Sequence, residues 1–225
     1  MEAKRFVELK WVHYVYEFFI VAVGISVPFL LDRWNDNRLE KRAERENYEY
    51  ILRELQEDKE ELQGVSKYNQ HFLERARIAN RIILDGDRSQ ADTLGRLAME
   101  LRNVSDFHRN HSVYENLINS EKIKLVRNRD LTNKLQYLDE LNTYINRLES
   151  NHLDAAINFA IPALSQYLRV EPYKVMDPDG LFGYTFHNQI VLFISIMEEK
   201  AQLYQRTLQE IGTVGALVEQ ELARK

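Results

Sequence analysis

The side chains best suited to bind a metal are crowded into one short stretch of the 225-residue chain. Asp106, His108, His111 and Glu115 carry carboxylate and imidazole groups, which are common ligands of zinc. His108 and His111 would share a face if this stretch were helical. Ser112 and Glu115, however, have the spacing of a capping box, which predicts that a helix begins only there. We therefore interpret these residues as solvated polar groups and predict no metal site.

The motifs of the common enzyme classes do not occur in the sequence. It contains no cysteine, which excludes thiol nucleophiles, zinc ribbons and disulfide bonds. It has neither a glycine-rich phosphate-binding loop nor the serine or zinc-helix motifs of hydrolases. The formal net charge is -5 and basic residues are mixed with acidic ones, which argues against a nucleic-acid partner. We predict a protein that is not an enzyme and has no catalytic residue, no cofactor and no nucleic-acid partner.

One carboxylate is notable for its surroundings: Glu17 lies near the start of the most apolar run in the chain. The run from Trp11 to Leu31 would form a helix of about 31 Å, close to the ~30 Å hydrocarbon core of a bilayer. Trp11 and Tyr14 lie at one end and Trp34 just past the other, as expected of interface anchors. No small-residue cleavage site follows, which argues against a signal peptide. We predict a transmembrane helix over residues 11–31, with a buried helix or an interfacial segment as the alternative.

The polar and small residues of this run fall on one face of the predicted helix. They are Lys10, His13, Glu17, Gly24 and Pro28, separated by steps of three, four and seven. Helices associate in lipid through small residues and polar contacts, so this face is a candidate intramembrane contact. Three interpretations of Glu17 remain open: pairing with His13 near the headgroups, helix–helix contact in an oligomer, or an ion or proton path.

The next part of the chain shows the periodicity of a long helix. Residues 32–47 are highly charged and predict a solvated helical stalk. Apolar stripes follow at 48–62 and 68–83, and Gly64 between them is expected to bend or end the helix. The Asp85-Gly86-Asp87 sequence predicts a turn.

The middle of the chain predicts shorter elements and another long helix. A short helix is expected near 93–101, and residues 123–126 look extended or turn-like. A long helix begins near Asp130, carries a leucine stripe to Leu148 and is expected to end before or kink at Pro162. The stretch that follows is irregular, and we predict no strand.

The C-terminal stretch has the most regular pattern, with apolar or small residues in alternating steps of four and three. These are Ile190, Ile194, Met197, Ala201, Tyr204, Leu208, Ile211, Gly215, Val218 and Leu222. Such a heptad row packs either inside the chain's own bundle or in an intermolecular coiled coil. The predicted fold is all-α: tail 1–10, transmembrane helix 11–31, charged stalk 32–47 and antiparallel helical bundle 48–225.

Two blocks of the sequence carry a resemblance. The first is Glu17, Gly24-Ile25 and Trp34-Asn35-Asp36-Asn37-Arg38; the second is Tyr114-Glu115-Asn116-Leu117, Ser120, Ile123-Lys124-Leu125-Val126, Leu131 and Leu135. In this order they resemble an uncharacterised family of small bacterial single-pass membrane proteins, a domain of unknown function. The chain departs from the family pattern at Tyr16 and Glu121, where glycine is usual. The resemblance implies an N-terminal anchor and a helical domain, and it implies no activity.

These features favour a membrane-anchored structural or assembly protein that acts through helix–helix contacts as an oligomer. A single-pass sensor or regulatory ligand-binding module is the alternative, and an ion-conducting subunit with Glu17 facing a pore is a further one. The partners expected are membrane lipid and either further copies of the chain or a membrane-protein complex. A short basic tail resists translocation, so we expect a single-pass protein of the bacterial inner membrane with a periplasmic C-terminal domain.

Overall fold

The computed structural model describes the backbone of residues 2–107 and 113–224, and the side chains of residues 15–107 and 113–224. Within these residues the chain is helical apart from turns and one pair of two-residue strands, so the predicted all-α class is confirmed. The chain divides into two compact units, Met1–Asn47 and Tyr48–Lys225. Helix α1, Glu2–Asp85, contributes to both. The finer division into tail, span, stalk and bundle stays a prediction.

The first unit consists of α1 residues whose apolar side chains are exposed on every side of the helix. Between Val15 and Leu31 the large apolar side chains are 45% to 70% exposed. Among the described residues, α1 is the only helix that is long and apolar enough to cross a membrane. Length and composition therefore allow a membrane span, although a signal sequence satisfies the same two criteria.

The second unit is built from the rest of α1 and a series of further helices. These are α2 (Ala91–Met99), α3 (Val113–Asn119), α4 (Arg129–Ala155), α5 (Ile161–Tyr167), α6 (Pro178–Leu181) and α7 (Tyr184–Ala223). Short 3₁₀ turns occupy Arg88–Gln90, Glu100–Arg102 and Lys122–Leu125, and a π turn at Ala156–Ala160 joins α4 to α5. Strand β1 (Leu168–Arg169) pairs antiparallel with β2 (Lys174–Val175).

The C-terminal end of α1 agrees with the sequence pattern. Helix α1 passes through Gly64 and ends at Asp85, and Gly86 then adopts a left-handed conformation with φ of 64°. Such a conformation strains any residue with a Cβ, which is why glycine marks the end of the helix. The predicted turn is confirmed, while a helix end at Gly64 is wrong, because a single glycine only weakens a long helix. The alternative of a bend at Gly64 stays a prediction.

Helix α4 begins as predicted and ends at Ala155, before Pro162, which the sequence also predicted. Asn128 caps its first turn, since its side chain accepts hydrogen bonds from the backbone N–H groups of Asp130 and Leu131. A π turn leads from α4 into α5, and Pro162 falls in the first turn of α5, where a proline N–H is not needed. The prediction of no strand is wrong, because β1 and β2 form a small ladder. Ser112 of the predicted capping box lies outside the described residues.

The heptad row of α7 faces the interior of this chain, but only every second position of the predicted row belongs to it, and the positions between them are displaced by one residue. Ile190, Met197, Tyr204, Ile211 and Val218 are buried as predicted. The predicted positions between them are only half-buried, and the fully buried positions are instead Phe193, Lys200, Thr207 and Val214. Because Lys200 and Thr207 are polar, a search for apolar periodicity does not find this row. The burial favours packing within the chain's own helices over an intermolecular coiled coil.

Helices α4 and α7 run in opposite directions. The Asn128 amide at the start of α4 donates to Glu221 near the end of α7 at 2.8 Å. At the other end, the ammonium nitrogen of Lys200 lies 3.1 Å from the His152 imidazole near the end of α4. This antiparallel pair, with α1 and the shorter helices around it, carries the apolar core of the second unit.

The core consists of two separate apolar clusters. Cluster I combines residues 48–62 of α1, 131–148 of α4 and 203–218 of α7. Cluster II combines residues 73–82 of α1, residues 155–168 and residues 186–197, together with α2. The gaps between the two clusters fall at the same level on all three long helices, and polar side chains fill that level.

Two helical glycines provide a matched test of the packing in cluster II. A methyl group on Gly95 of α2 would collide with the Tyr173 hydroxyl and lie 3.0 Å from Leu168 and 3.1 Å from Val175. On Gly212 of α7 it would meet nothing within 4 Å. We expect Gly95→Ala to lower the free energy of unfolding by about 1–2 kcal/mol through overpacking. Gly212→Ala should raise it by about 0.5–1 kcal/mol, because alanine is the better helix former.

Chemical denaturation of the two variants in mild detergent, followed by circular dichroism, measures this difference. Equal effects of the two substitutions would show that α2 does not pack against the β1–β2 ladder as closely as described.

Candidate functional site

Six polar side chains meet inside the second unit, at the level that separates cluster I from cluster II. This polar layer consists of Asn69, Ser105, Glu149, His152, Lys200 and Tyr204, each at most 4% exposed. Charged residues are rarely this buried without partners, because removing a charge from water costs several kcal/mol. The polar layer is therefore the strongest candidate for a functional site among the described residues.

Helical periodicity explains why these side chains meet. On α4 the buried row runs through Ile145, Glu149 and His152 to Ala156, and on α7 it runs through Lys200. These are steps of three and four, which keep side chains on one face of a helix. The polar residues thus occupy core positions of otherwise apolar rows, where the antiparallel arrangement of α4 and α7 brings them together.

The carboxylate of Glu149 binds the backbone of an extended segment that follows α2. The backbone N–H of Phe107 donates to both carboxylate oxygens of Glu149, each at 3.1 Å. The Tyr204 hydroxyl also donates to Glu149, in a short hydrogen bond. The same hydroxyl lies 3.1 Å from the Ser105 hydroxyl. Through these hydrogen bonds, Glu149 connects the segment to α4 and Tyr204 connects it to α7.

The ammonium of Lys200 binds the backbone of the same segment. Its nitrogen donates to the Ser105 carbonyl oxygen at 3.0 Å and lies 3.1 Å from Nδ1 of His152. Nδ1 must accept this hydrogen bond, so the imidazole is neutral and carries its proton on Nε2. That Nε2 has no hydrogen-bond partner among the described residues, and the ring lies 5.6 Å from the Phe193 ring.

Burial shifts the proton affinity of every ionisable member of the layer. Loss of hydration lowers the pKa of His152 from 6.5 to about 3, and the nearby Lys200 charge adds to the effect. Loss of hydration also lowers the pKa of Lys200 to about 8, against the attraction of Glu149 and Asp106. It raises the pKa of Glu149, and burial beside Glu149 raises the pKa of Tyr204. At neutral pH the layer holds a charged Lys200 beside a neutral His152.

Two grooves open on either side of the extended segment. One has a volume of about 350 Å³ and is lined by Gly64, Val65, Tyr68, Val104, Ser105 and Asp106. The other has a volume of about 410 Å³ and is lined by Val104, Asp106, Asn146, Glu149, Ser150 and Leu153. Val104 and Asp106 line both grooves, so the segment forms the wall between them. Lys200 is 0% exposed and meets only protein groups in this conformation.

The residues that the sequence singled out lie elsewhere in the chain. Glu17, Gly24 and Pro28 belong to the first unit, where Glu17 and Pro28 are exposed and Gly24 has open space around it. Trp34 is 63% exposed. Lys10, Trp11, His13 and Tyr14 fall within α1, but their side chains lie outside the described residues. Their predicted roles as intramembrane contacts and interface anchors stay predictions.

The metal-ligand candidates are only partly described. Asp106, in the segment after α2, and Glu115, on α3, are both exposed, while His108 and His111 lie outside the described residues. Within the described residues there is no group of three or more histidine, aspartate or glutamate side chains that could hold a metal ion.

Apart from Tyr204, the residues of the polar layer were not predicted from the sequence, although a signal for some of them was present. The leucine stripe of α4 stopped at Leu148 because the next core positions, Glu149 and His152, are polar. On α7, the polar residue Lys200 interrupts the apolar row that contains Phe193. A polar residue at a core position of an apolar row is the sign that would have found them. Ser105 has no such signal, because it lies in an irregular segment.

Comparisons with protein-family models, with curated proteins and with solved structures found no match to this chain.

Proposed function

We propose that this protein is a single-pass protein of the bacterial inner membrane, anchored by residues 11–31. A charged stalk, 32–47, leads to an antiparallel helical bundle, 48–225, in the periplasm. The bundle acts as a structural or assembly component through helix–helix contacts, as a homo-oligomer or within a membrane-protein complex. The resemblance to the uncharacterised family of small single-pass proteins supports the same interpretation.

The observation that carries the proposal is that the apolar part of α1 is exposed on all its sides. Four consecutive residues of a helix point in all directions, since each is rotated by about 100° from the last. Phe18, Phe19, Ile20 and Val21 are each 59% to 70% exposed. Burial of one such side chain is worth about 1.5–3 kcal/mol, so a helix apolar all round needs an apolar environment. Lipid supplies one, and the helix satisfies its own backbone hydrogen bonds there.

Extraction of native membranes with alkaline carbonate tests the anchor. The wild-type chain is expected to stay in the membrane pellet. Ile25→Arg, in the middle of the apolar run, should release a large part of the protein, because a central arginine costs about 2.5–3.5 kcal/mol. Leu39→Arg changes another exposed apolar residue, beyond the run, and should leave the protein in the pellet. A wild-type chain that washes off in carbonate would contradict the anchor.

Assembly through the first unit is tested at Glu17. We expect chemical cross-linking in mild detergent to give oligomers, and Glu17→Gln to reduce their yield severalfold, because polar contacts hold helices together in lipid. Leu39→Gln is the matched control and should leave the yield unchanged. A wild-type chain that stays monomeric under these conditions would rule out assembly by α1.

A sensor or regulatory function is the second candidate, and the grooves beside the polar layer favour it. Cavities of this volume suit small ligands, and each contains both apolar and polar groups. Thermal stabilisation of the purified chain by a small metabolite would support this candidate over a purely structural role.

A further inference from the structure

One of the two grooves combines features that suit a single class of ligand. We call it the α1 groove; it has a volume of about 350 Å³ and is lined by Gly64, Val65, Tyr68, Val104, Ser105 and Asp106. Ser105 also belongs to the polar layer, so the groove ends against that layer. The volume is at the lower end of the range for small-molecule sites.

The walls of the α1 groove are held in place by packing. Val65 packs against cluster I, and Val104 packs against cluster II. Ser105, which is 4% exposed, is held by the contact of its hydroxyl with Tyr204 at 3.1 Å. A ligand would therefore meet a formed site, and binding would require little ordering of the chain.

Gly64 leaves space in the α1 groove that helix α1 does not itself require. It lies in the interior of α1, where glycine is less favourable than alanine. Its φ is not positive, so the backbone does not require a glycine. A methyl group on Gly64 would meet nothing within 4 Å, so close packing does not require one either. A larger side chain at this position would reduce the space along the groove.

The polar and aromatic groups of the α1 groove are complementary to an organic cation. Among the described residues that line it, Asp106 is the only charged one. A carboxylate accepts several hydrogen bonds, so Asp106 can contact the chain and a ligand at the same time. Tyr68 is 43% exposed, and its ring lies 4.7 Å from the Phe72 ring. A carboxylate near an aromatic ring attracts organic ammonium ions by charge and by cation–π contact.

The charges beneath the α1 groove also favour a cation at this place. The charge of Asp106 contributes to the raised pKa of Glu149, which means that the two carboxylates repel each other. Lys200 is the only cation among the six residues of the polar layer, and its nitrogen contacts the Ser105 carbonyl and His152. A second positive charge beside Asp106 would offset the remaining repulsion.

We propose that the α1 groove binds a small organic ammonium ion, with its nitrogen near the Asp106 carboxylate and the Tyr68 ring and its apolar part against Val65 and Val104. This inference rests on the second candidate function, ligand binding by the second unit, and names the class of ligand. Binding of another class of ligand would leave that function standing while this inference fails. Membrane anchoring is tested separately by carbonate extraction.

Choline and its uncharged analogue dimethylbutanol, in which carbon replaces the nitrogen, test the need for a positive charge. Ligand-detected NMR titration of the full chain in a neutral detergent measures both dissociation constants, with protein-free detergent as the blank. We expect choline to bind about two- to fivefold more tightly, the effect of a cation–π contact at an exposed site. Equal affinities, or no binding of choline, would overturn the proposal.

Two pairs of variants test the residues that would hold the cation. Asp106→Asn and Tyr68→Leu are each expected to weaken choline binding about two- to fivefold. Asp154→Asn and Tyr184→Leu change exposed residues outside the groove and should leave the affinity unchanged. Equal affinities within each pair would contradict the proposed contacts.

Two glycine variants locate the site. Gly64→Leu should weaken choline binding severalfold, because its side chain occupies part of the α1 groove. Gly212→Leu adds the same side chain at another helical glycine with open space around it and should leave the affinity unchanged. Both variants should fold, since leucine is a better helix former than glycine, and circular dichroism checks this. Equal choline affinities in the two folded variants would overturn the proposal.

Discussion

Lys200→Met is expected to lower the free energy of unfolding by about 3–5 kcal/mol, the usual effect of removing one partner from a buried charge pair. Methionine keeps most of the side-chain volume, so a cavity contributes little. The loss comes from the partners that remain: the Ser105 carbonyl and Nδ1 of His152 lose their donor. Glu149 in turn loses the charge that attracts its carboxylate.

A double-mutant cycle separates the charge pair from the other losses. Glu149→Gln removes the carboxylate charge but keeps an acceptor for the Phe107 N–H and the Tyr204 hydroxyl. We expect Lys200→Met combined with Glu149→Gln to cost at least about 1 kcal/mol less than the sum of the two single changes, because neither charge is then left alone. Urea unfolding in mild detergent, followed by circular dichroism, measures all three variants.

Lys124→Met is the matched control for the charge pair. Lys124 forms an ion pair with Glu121, and the two side chains are 72% and 75% exposed. Its removal should cost at most about 1 kcal/mol, as for other solvated ion pairs. Strict additivity of Lys200→Met and Glu149→Gln would show that the two charges do not stabilise each other.

The second large effect is a loss of stability in acid that depends on His152. Its pKa falls from 6.5 in the unfolded chain to about 3 in the fold. Between these values the unfolded chain binds a proton that the folded chain does not, so stability falls as the pH falls from 6.5 towards 3. A difference of this size corresponds to roughly 5 kcal/mol at most, lost across that window and fully present above it.

Glu149 acts in the opposite direction over part of this window. Its raised pKa means that the fold keeps a proton on this carboxyl when the unfolded chain has lost it, so its contribution decreases as the pH rises above 4.5. Measuring the pH dependence in a Glu149→Gln background removes this opposing effect and isolates His152.

Substitution of the imidazole tests the assignment. His152→Gln keeps an acceptor for Lys200 but does not titrate, so the variant should lose less stability between pH 6.5 and pH 4 than the parent chain. His71→Gln changes an exposed histidine of α1 and should leave the profile unchanged. Parallel profiles for His152→Gln and the parent would contradict a buried neutral imidazole at this position.

The part of the fold that could be predicted from the sequence is the part determined by local signals. Gly86 ends α1 because it tolerates a left-handed backbone, and Asn128 caps α4; both signals can be read from a few residues. The buried row of α7 could not be predicted from local signals, because it depends on which residues of other segments lie opposite each position of the helix. The choice between Ala201 and Lys200 as the core position is decided by the Ser105 carbonyl and His152, which are distant in sequence.

The β1–β2 ladder shows the same dependence on distant contacts. Its two-residue strands are too short for a periodic signal. They are held by side chains that meet α2: the Tyr173 hydroxyl donates to the Asp92 carbonyl at 2.9 Å, and the Arg96 guanidinium stacks on the Tyr173 ring. The candidate site was missed for a related reason, since buried polar residues look like surface residues until their partners are known.

The π turn at Ala156–Ala160 changes what the α4–α5 rod can tolerate. In a regular helix, adding or removing one residue rotates everything beyond it by about 100° and turns interior side chains outward. This turn holds one surplus residue, and the buried positions on either side of its exposed part, Ala155 and Ala156 before it and Ala160 after it, are separated by steps of five and four. A one-residue deletion there would convert the turn into ordinary helix and keep both halves facing inward. The turn is therefore the place along this rod where a change in length is compatible with the same interior.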